Sequence, residues 1–148
     1  MKIPPLLLVL LLGALMYVIS LFTPSVVVHP VLRFTAAAVI FITGSGISLS
    51  GVLAFRRSKT SVNPLSPDKA SSLVETGIYR ISRNPMYVGF LMMLLAWSIA
   101  LANLYTLPAC VVFFWYINRF QIPEEERALK AMFQQSYTAY TRRVRRWL

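Results

Sequence analysis

Acidic residues are scarce in this 148-residue chain, and charged residues of both signs are few. Five Asp and Glu stand against 15 Lys and Arg, and the charged share is 14%, below the roughly 25% of soluble domains. A single cysteine excludes a disulfide scaffold, and a hydrophobic share of 57% excludes a disordered chain. That apolar majority also does not fit a basic nucleic-acid-binding domain, despite the net charge of +10. The composition therefore predicts a small integral membrane protein with no nucleic-acid partner.

Three long stretches carry no charged side chain: residues 3–32, 34–55 and 84–118. A helix needs about 20 mostly apolar residues to cross a bilayer. The first two stretches each have room for one such helix. The third is too long for one helix and divides at Asn103, which predicts a tight hairpin. A re-entrant hairpin that does not cross fully is the alternative for this stretch.

We therefore expect an all-α integral membrane protein with four transmembrane helices and a C-terminal amphipathic cytoplasmic helical region. It forms a single domain over residues 1–148. The expected spans and tail cover 6–22, 31–55, 86–102, 104–118 and 119–148.

Two features of the first half of the chain have more than one possible interpretation: a glycine-rich trio and the N-terminal apolar run. Gly44-Ser45-Gly46 would allow close helix approach, or would simply be a tolerated flexible stretch. The N-terminal apolar run is interpreted as an uncleaved first span, because no small-x-small cleavage site precedes Thr23-Pro24.

The distribution of basic residues predicts the orientation. Four spans would place 14 of the 15 Lys and Arg on one membrane face, leaving Arg33 on the other. The positive-inside rule makes the crowded face cytoplasmic, so both termini and any polar site are expected there. The connection over 56–74 is expected to lie at the lipid headgroups.

Arginine, tyrosine and proline residues are concentrated just before the third predicted span. Pro85 would start that helix, and a helix N-terminus favours an anion such as a carboxylate. Arg80 and Arg83 add positive charge there, and Tyr79 and Tyr87 add aromatic faces. Ordinary interfacial anchoring by Arg and Tyr is the competing interpretation.

The segment after the fourth span begins with three consecutive acids behind a proline, Glu124-Glu125-Glu126. Acids in a first helical turn complement the helix dipole, or they could hold polar groups of a ligand. The helix that follows is amphipathic, and we expect it to break near Gln134-Gln135-Ser136. Its apolar face carries Leu129, Phe133, Tyr137, Tyr140, Val144 and Trp147.

Two blocks together resemble a known family. They are Gly77-x-Tyr79-x-x-x-Arg83-Asn84-Pro85-x-Tyr87-x-Gly89, and Arg119 with Glu124-Glu125-Glu126 followed by Phe133, Tyr137, Tyr140 and Val144. Their order around an apolar hairpin resembles the isoprenylcysteine carboxyl methyltransferases and the wider group of small phospholipid methyltransferases. The resemblance covers about half of the chain, residues 73–147.

The resemblance implies a membrane methyltransferase that uses S-adenosyl-L-methionine and releases S-adenosyl-L-homocysteine, with no metal. It implies catalytic roles for Arg119 and Glu124. It also implies a cofactor pocket formed by Tyr79, Arg83, Asn84, Pro85, Tyr87, Gly89, Glu124 and Glu125.

Two positions depart from the family pattern. Asn84 stands where the family most often has His, which argues against a histidine base at this position. Ile78 stands where a proline is common. His29, the single histidine, is expected on the opposite membrane face.

The expected reaction is methyl transfer to a lipophilic or amphiphilic acceptor, such as an isoprenylcysteine-like carboxylate or another lipid-like substrate. The acceptor itself stays open, and closure of the pocket by a homodimer is one expectation. The competing functions are a non-enzymatic membrane scaffold or subunit, an NADPH enzyme like the sterol reductases and, last, a transporter.

Overall fold

The computed structural model describes residues 3–58 and 73–148, and it contains no strand within those residues. The helices are α1 Pro5–Phe22, α2 Pro30–Arg57, α3 Pro85–Leu101, α4 Leu107–Tyr116 and α5 Ile122–Arg143. Short 3₁₀ turns cover Gly77–Arg80 and Leu104–Thr106, and a π-helical turn, Ile117–Gln121, joins α4 to α5. The predicted headgroup-level connection over 56–74 lies mostly outside the described residues.

Each of these five helices has a proline at its first or second position. Proline is favoured there because its fixed φ suits the helix and its missing N–H would be unbonded anyway. Pro5, Pro30 and Pro85 start α1, α2 and α3 one residue before the predicted starts. The all-helical prediction is confirmed.

The surface of the bundle confirms the membrane character. Within the described residues, α1 and α2 are long and apolar enough to cross a bilayer, while α3 is apolar but has 17 residues. Large apolar side chains point outward from α1, including Leu10 (61% exposed) and Phe22 (83% exposed). Soluble proteins rarely expose apolar patches of this size to water, whereas such a surface is favourable in contact with lipid. The count of four spans stays a prediction.

A close approach of α2 and α3 forms the main helix contact. A Cβ added at Gly44 would lie 2.8 Å from the Met92 Cβ, and one added at Gly89 would lie 2.8 Å from the Ser48 Cβ. At Gly46 it would meet nothing within 4 Å. Gly44 therefore serves the predicted close approach and Gly46 does not.

The α3–α4 hairpin turns at the predicted position. Ala102 caps α3 with a left-handed φ of 49°, and Asn103 accepts a hydrogen bond from the Tyr105 backbone N–H. The Asn103 side-chain amide donates to the Thr23 hydroxyl at 2.7 Å. Thr106, fully buried, shares a 2.7 Å hydrogen bond with Ser98. This buried polar group ties the hairpin turn to the end of α1.

The bend in α5 decides where the C-terminal residues lie. Gln134 has φ 40° and ψ −108°, so the predicted break near this residue is confirmed. Beyond the bend, Tyr137, Tyr140 and Val144 form a buried cluster with Leu129 and Phe133 packed against it. The chain then leaves the helix as an extended segment beside Ser82.

Candidate functional site

The two sequence blocks meet where the N-terminus of α3 faces the start of α5. The Tyr87 hydroxyl donates a 2.5 Å hydrogen bond to Glu125 Oε1, although the two residues are 38 positions apart. The Gln121 amide donates to the same oxygen at 2.7 Å. Tyr87 and Gln121 are both buried. The carboxylate of Glu125 is therefore held in a fixed position at the mouth of the helix bundle.

A second carboxylate lies between two arginines. Arg83 Nη1 is 3.2 Å from Glu126 Oε1. Arg146 donates from Nε to Oε1 at 3.0 Å and from Nη2 to Oε2 at 2.6 Å, which is a bidentate pair. Such paired, charge-assisted hydrogen bonds are stronger and geometrically more specific than single ones. Arg83 also lies 3.4 Å from the Tyr137 hydroxyl, to which it donates.

Tyr79 projects from the 3₁₀ turn Gly77–Arg80 into the end of α2. The turn can form because Gly77 adopts φ +62°, a conformation that favours glycine. The Tyr79 ring meets Phe55 edge to face, with centroids 5.3 Å apart. Its backbone carbonyl accepts a 2.7 Å hydrogen bond from the Tyr140 hydroxyl. This contact fastens the second half of α5 to the first sequence block.

Burial raises the pKa of two tyrosine hydroxyls in this region, Tyr79 and Tyr140. Loss of solvent raises the pKa of Tyr79 well above its ordinary value, and the nearby Tyr140 and Glu125 raise it further. Burial also raises the pKa of Tyr140, against the opposing effect of Arg83. Both hydroxyls are therefore neutral hydrogen-bond donors near neutral pH.

Asn84 and Pro85 shape the start of α3. The Asn84 carbonyl accepts from the backbone N–H of Tyr87 and Val88, while its side-chain amide donates to the Arg146 carbonyl at 2.8 Å. Pro85 is fully buried at the first helical position. The Asn84 side chain thus acts as a structural hydrogen-bond donor at the position where the family most often has His.

Three other predicted site residues lie apart from this cluster. Glu124 is on the exposed side of α5, where it pairs with Arg127 at 2.9 Å. Arg119 is exposed on the π-helical turn, with its guanidinium carbon 5.7 Å from the centre of the Phe120 ring. Gly89 faces α2 at the close helix contact. The roles predicted for these three residues stay predictions.

The predicted site residues did not include several members of the cluster: Gln121, Glu126, Tyr137 and Arg146. Gln121 precedes Glu125 by one helical turn, which is a signal the sequence offered. The partnership of Glu126 with Arg146 spans 20 residues and depends on the bend in α5, so it had no local signal.

A cavity of about 400 Å³ opens beside the cluster, within the roughly 300–1,000 Å³ typical of small-molecule pockets. Its lining residues are Glu75, Thr76, Arg80, Tyr140, Arg143 and Val144. Arg143 pairs with Glu75 at 2.7 Å across this opening. The two charges that line this opening are therefore paired with each other, and the Tyr140 hydroxyl beside them donates to the Tyr79 carbonyl.

Comparison with known proteins shows the family. The phospholipid methyltransferase family model matches residues 32–136. Protein-S-isoprenylcysteine O-methyltransferase B of Arabidopsis thaliana is 31% identical over 103 residues, covering 70% of this chain and 52% of that protein. A probable protein-S-isoprenylcysteine O-methyltransferase of Oryza sativa subsp. indica is 30% identical over 106 residues, covering 72% and 56%.

A shorter relative matches in full. An uncharacterized protein of Haemophilus influenzae is 41% identical over 63 residues, which is 43% of this chain and 100% of that protein. No solved structure gives a significant match. The chain spans about half the length of the plant methyltransferases, and the family model covers well over half of the chain. This chain is therefore a member of the phospholipid methyltransferase family.

Proposed function

We propose that this protein is a membrane methyltransferase that uses S-adenosylmethionine to methylate a lipophilic or amphiphilic acceptor at the cytoplasmic face. The observation that carries the proposal is the union of the two sequence blocks through Tyr87–Glu125 and Arg83–Glu126. Carboxylates and guanidinium groups, which meet here across the two blocks, are also the groups that would bind a zwitterionic ligand. The family and the plant relatives support the same reaction class.

The residues present fit S-adenosylmethionine. This cofactor carries a carboxylate, an ammonium, a sulfonium and ribose hydroxyls, so its site needs cations, anions and neutral donors together. The cluster supplies a guanidinium group from Arg83, a carboxylate from Glu125 and a neutral hydroxyl from Tyr87. The buried Nε of Arg83 has no hydrogen-bond partner among the residues that the structure describes, which leaves a donor to be satisfied.

The carboxylate and guanidinium groups would hold different parts of the cofactor. Arg83 would bind its carboxylate, while Glu125 and Tyr87 would bind its ammonium or ribose hydroxyls. The N-terminus of α3 at Pro85 adds a partial positive charge. Because Glu124 faces outward with Arg127, the geometry favours Glu125 for the role that the resemblance implied for Glu124.

The acceptor would approach from the bilayer. When bound, S-adenosylmethionine supplies an electrophilic methyl group on a sulfonium, so the acceptor's electron pair forms the new bond while the carbon–sulfur pair stays on the departing thioether. The protein's own part is to align the two groups and to exclude water. Arg119, exposed on the π-helical turn among Phe120 and other aromatic rings, would orient an anionic acceptor headgroup. Isoprenylcysteine-like carboxylates and phospholipids are the acceptor classes that the relatives' names indicate.

Calorimetry with S-adenosylhomocysteine tests the proposal. The purified protein in nanodiscs should bind the product, and Glu125→Gln or Arg83→Gln should weaken binding by about tenfold or more, since each removes a charge from the site. Lys130→Ala, an exposed change on α5, is the matched control. Absence of binding by the wild-type protein would reject the enzyme proposal in favour of a scaffold.

A radiolabelled methyl donor tests the acceptor class. The protein should transfer label to an isoprenylcysteine analogue or to a phospholipid in the same nanodiscs. Label on the analogue indicates a carboxylate acceptor, and label on the phospholipid indicates a headgroup acceptor. Product binding without transfer to either compound would reject both acceptor classes.

A further inference from the structure

The return segment, defined as residues 144–147, runs beside the start of α3 after the bend in α5. Arg83 N–H donates to the Arg145 carbonyl at 3.0 Å, and Asn84 Nδ2 donates to the Arg146 carbonyl at 2.8 Å. Val144 is buried in the tyrosine cluster of α5. The backbone of this segment is therefore fixed against the first sequence block.

The Arg146 side chain then reaches the second block. Its two hydrogen bonds to Glu126 fix the plane of the carboxylate, and the same carboxylate also receives Arg83. The Glu126 side chain is 22% exposed, and that of Arg83 is 15% exposed. A single residue outside both blocks thus completes the charge arrangement between them.

Trp147 makes a separate connection to the π-helical turn. Its indole N–H donates to Asn118 Oδ1 at 3.1 Å, and its ring lies 4.8 Å from the Phe114 ring. Asn118 is next to Arg119 and shares the turn with Gln121. π-helical turns are rare and often occur at functional sites. By holding Asn118, Trp147 fixes this turn and with it the position of Arg119.

We infer that the return segment positions both halves of the site: Arg146 holds Glu126 and Arg83 for the cofactor, and Trp147 holds the π-helical turn that presents Arg119 to the acceptor. The inference rests on the proposed function and adds two positioning residues to it. It predicts that the two side chains affect different kinetic parameters, although they are adjacent in sequence.

The experiment compares Arg146→Lys, Trp147→Phe and the control Arg145→Ala. Arg145 has an exposed side chain, and its carbonyl bond to Arg83 survives the change. Arg146→Lys keeps the charge but loses the bidentate geometry, so the Kd for S-adenosylhomocysteine should rise about tenfold while kcat at saturating donor stays within about threefold. Trp147→Phe keeps the ring but loses the bond to Asn118. It should leave that Kd within about twofold and raise the acceptor KM or lower kcat by about tenfold.

Further variants and the controls separate the outcomes. Asn118→Leu removes the same hydrogen bond from the other side, together with the Asn118 bond to the Phe114 carbonyl, and should likewise raise the acceptor KM or lower kcat. The inference is wrong if Arg146→Lys and Trp147→Phe both behave like Arg145→Ala. It is also wrong if both variants lose donor binding and acceptor binding equally, in step with a lower Tm. If the wild-type protein binds no product at all, the proposed function fails and this inference fails with it.

Discussion

At the scale of single residues, three identical side chains have three different environments. Glu124 pairs outward with Arg127, Glu125 accepts from Tyr87 and Gln121, and Glu126 is held by two arginines. Each residue in a helix turns by about 100°, so consecutive acids face different directions. Nothing in the sequence distinguishes them, because their directions depend on the π-helical turn that precedes α5. The resemblance could therefore locate the acidic block but not the member that faces the site.

The buried tyrosines predict a loss of stability at high pH. Since the pKa of Tyr140 is higher in the folded than in the unfolded protein, its neutral hydroxyl contributes fully below the unfolded pKa of about 10. That contribution is lost as the pH rises above this value towards the folded pKa. Tyr79 behaves in the same way. The free energy of unfolding should thus be level to about pH 9 and fall above about pH 10.

Tyr140→Phe isolates the contribution of one hydroxyl. The variant should lose about 1 kcal/mol at pH 8, because the bond to the Tyr79 carbonyl is gone, and it should show a shallower decline above pH 10. Denaturant titrations in detergent micelles from pH 8 to 11, followed by circular dichroism, measure both effects. Parallel pH curves for the two proteins would contradict this explanation.

At the scale of helices, the close contact between α2 and α3 needs a glycine at one position of α2 but not at the position two residues later. Gly44 lies against Met92 and the Gly89 carbonyl, whereas Gly46 faces open space. Both residues are on the same helix, two positions apart. They form a matched pair in which local helix propensity is the same and packing differs.

Gly44→Ala should lower the free energy of unfolding by about 1–3 kcal/mol, the cost of overpacking a close contact. Gly46→Ala should be neutral or stabilising by up to about 1 kcal/mol, because alanine is the better helix former. Thermal unfolding of both variants in detergent gives the comparison. Equal losses of Tm would indicate that the contact is looser than the structure shows.

The bend in α5 gives a second matched pair. Gln134→Gly should stabilise the fold by roughly 0.5–1 kcal/mol, since φ 40° strains a residue with a Cβ. Gln135→Gly, at the neighbouring helical position, should instead cost about 1 kcal/mol. Denaturant midpoints measure the opposite signs. Destabilisation by both changes would mean that α5 is continuous in solution.

The helices were predictable because their signals are local. Apolar runs and prolines placed the starts of α1, α2 and α3 within one residue, and Asn103 marked the hairpin turn. The π-helical turn and the return segment were not predictable. Their geometry depends on Trp147–Asn118 and Arg83–Arg145, hydrogen bonds between residues far apart in the chain.

At the scale of the whole molecule, the apolar excess and the basic excess are spatially separated. Exposed apolar side chains cover α1 and α2, while Arg83 and Arg146 meet Glu126 where α3 and α5 begin. The predicted orientation would make this polar end of the bundle cytoplasmic. The orientation and the four spans are proposals that accessibility can test.

Cysteine labelling tests the orientation. In a Cys110→Ala background, Lys130→Cys should react with a membrane-impermeant maleimide on the cytoplasmic side of sealed vesicles. Val27→Cys, at a fully exposed position in the connection between α1 and α2, should react on the opposite side. Reaction of both cysteines from one side would contradict the orientation and the span count on which it depends.

A double-mutant cycle on S-adenosylhomocysteine affinity tests most directly whether the two sequence blocks form one cofactor site. Calorimetry in nanodiscs compares the wild-type protein, Tyr87→Phe, Glu125→Gln and the double variant. Because the two side chains share one hydrogen bond, we expect each single change to weaken binding and the double change to weaken it little further. Fully additive losses, or no binding by the wild-type protein, would contradict a single shared site.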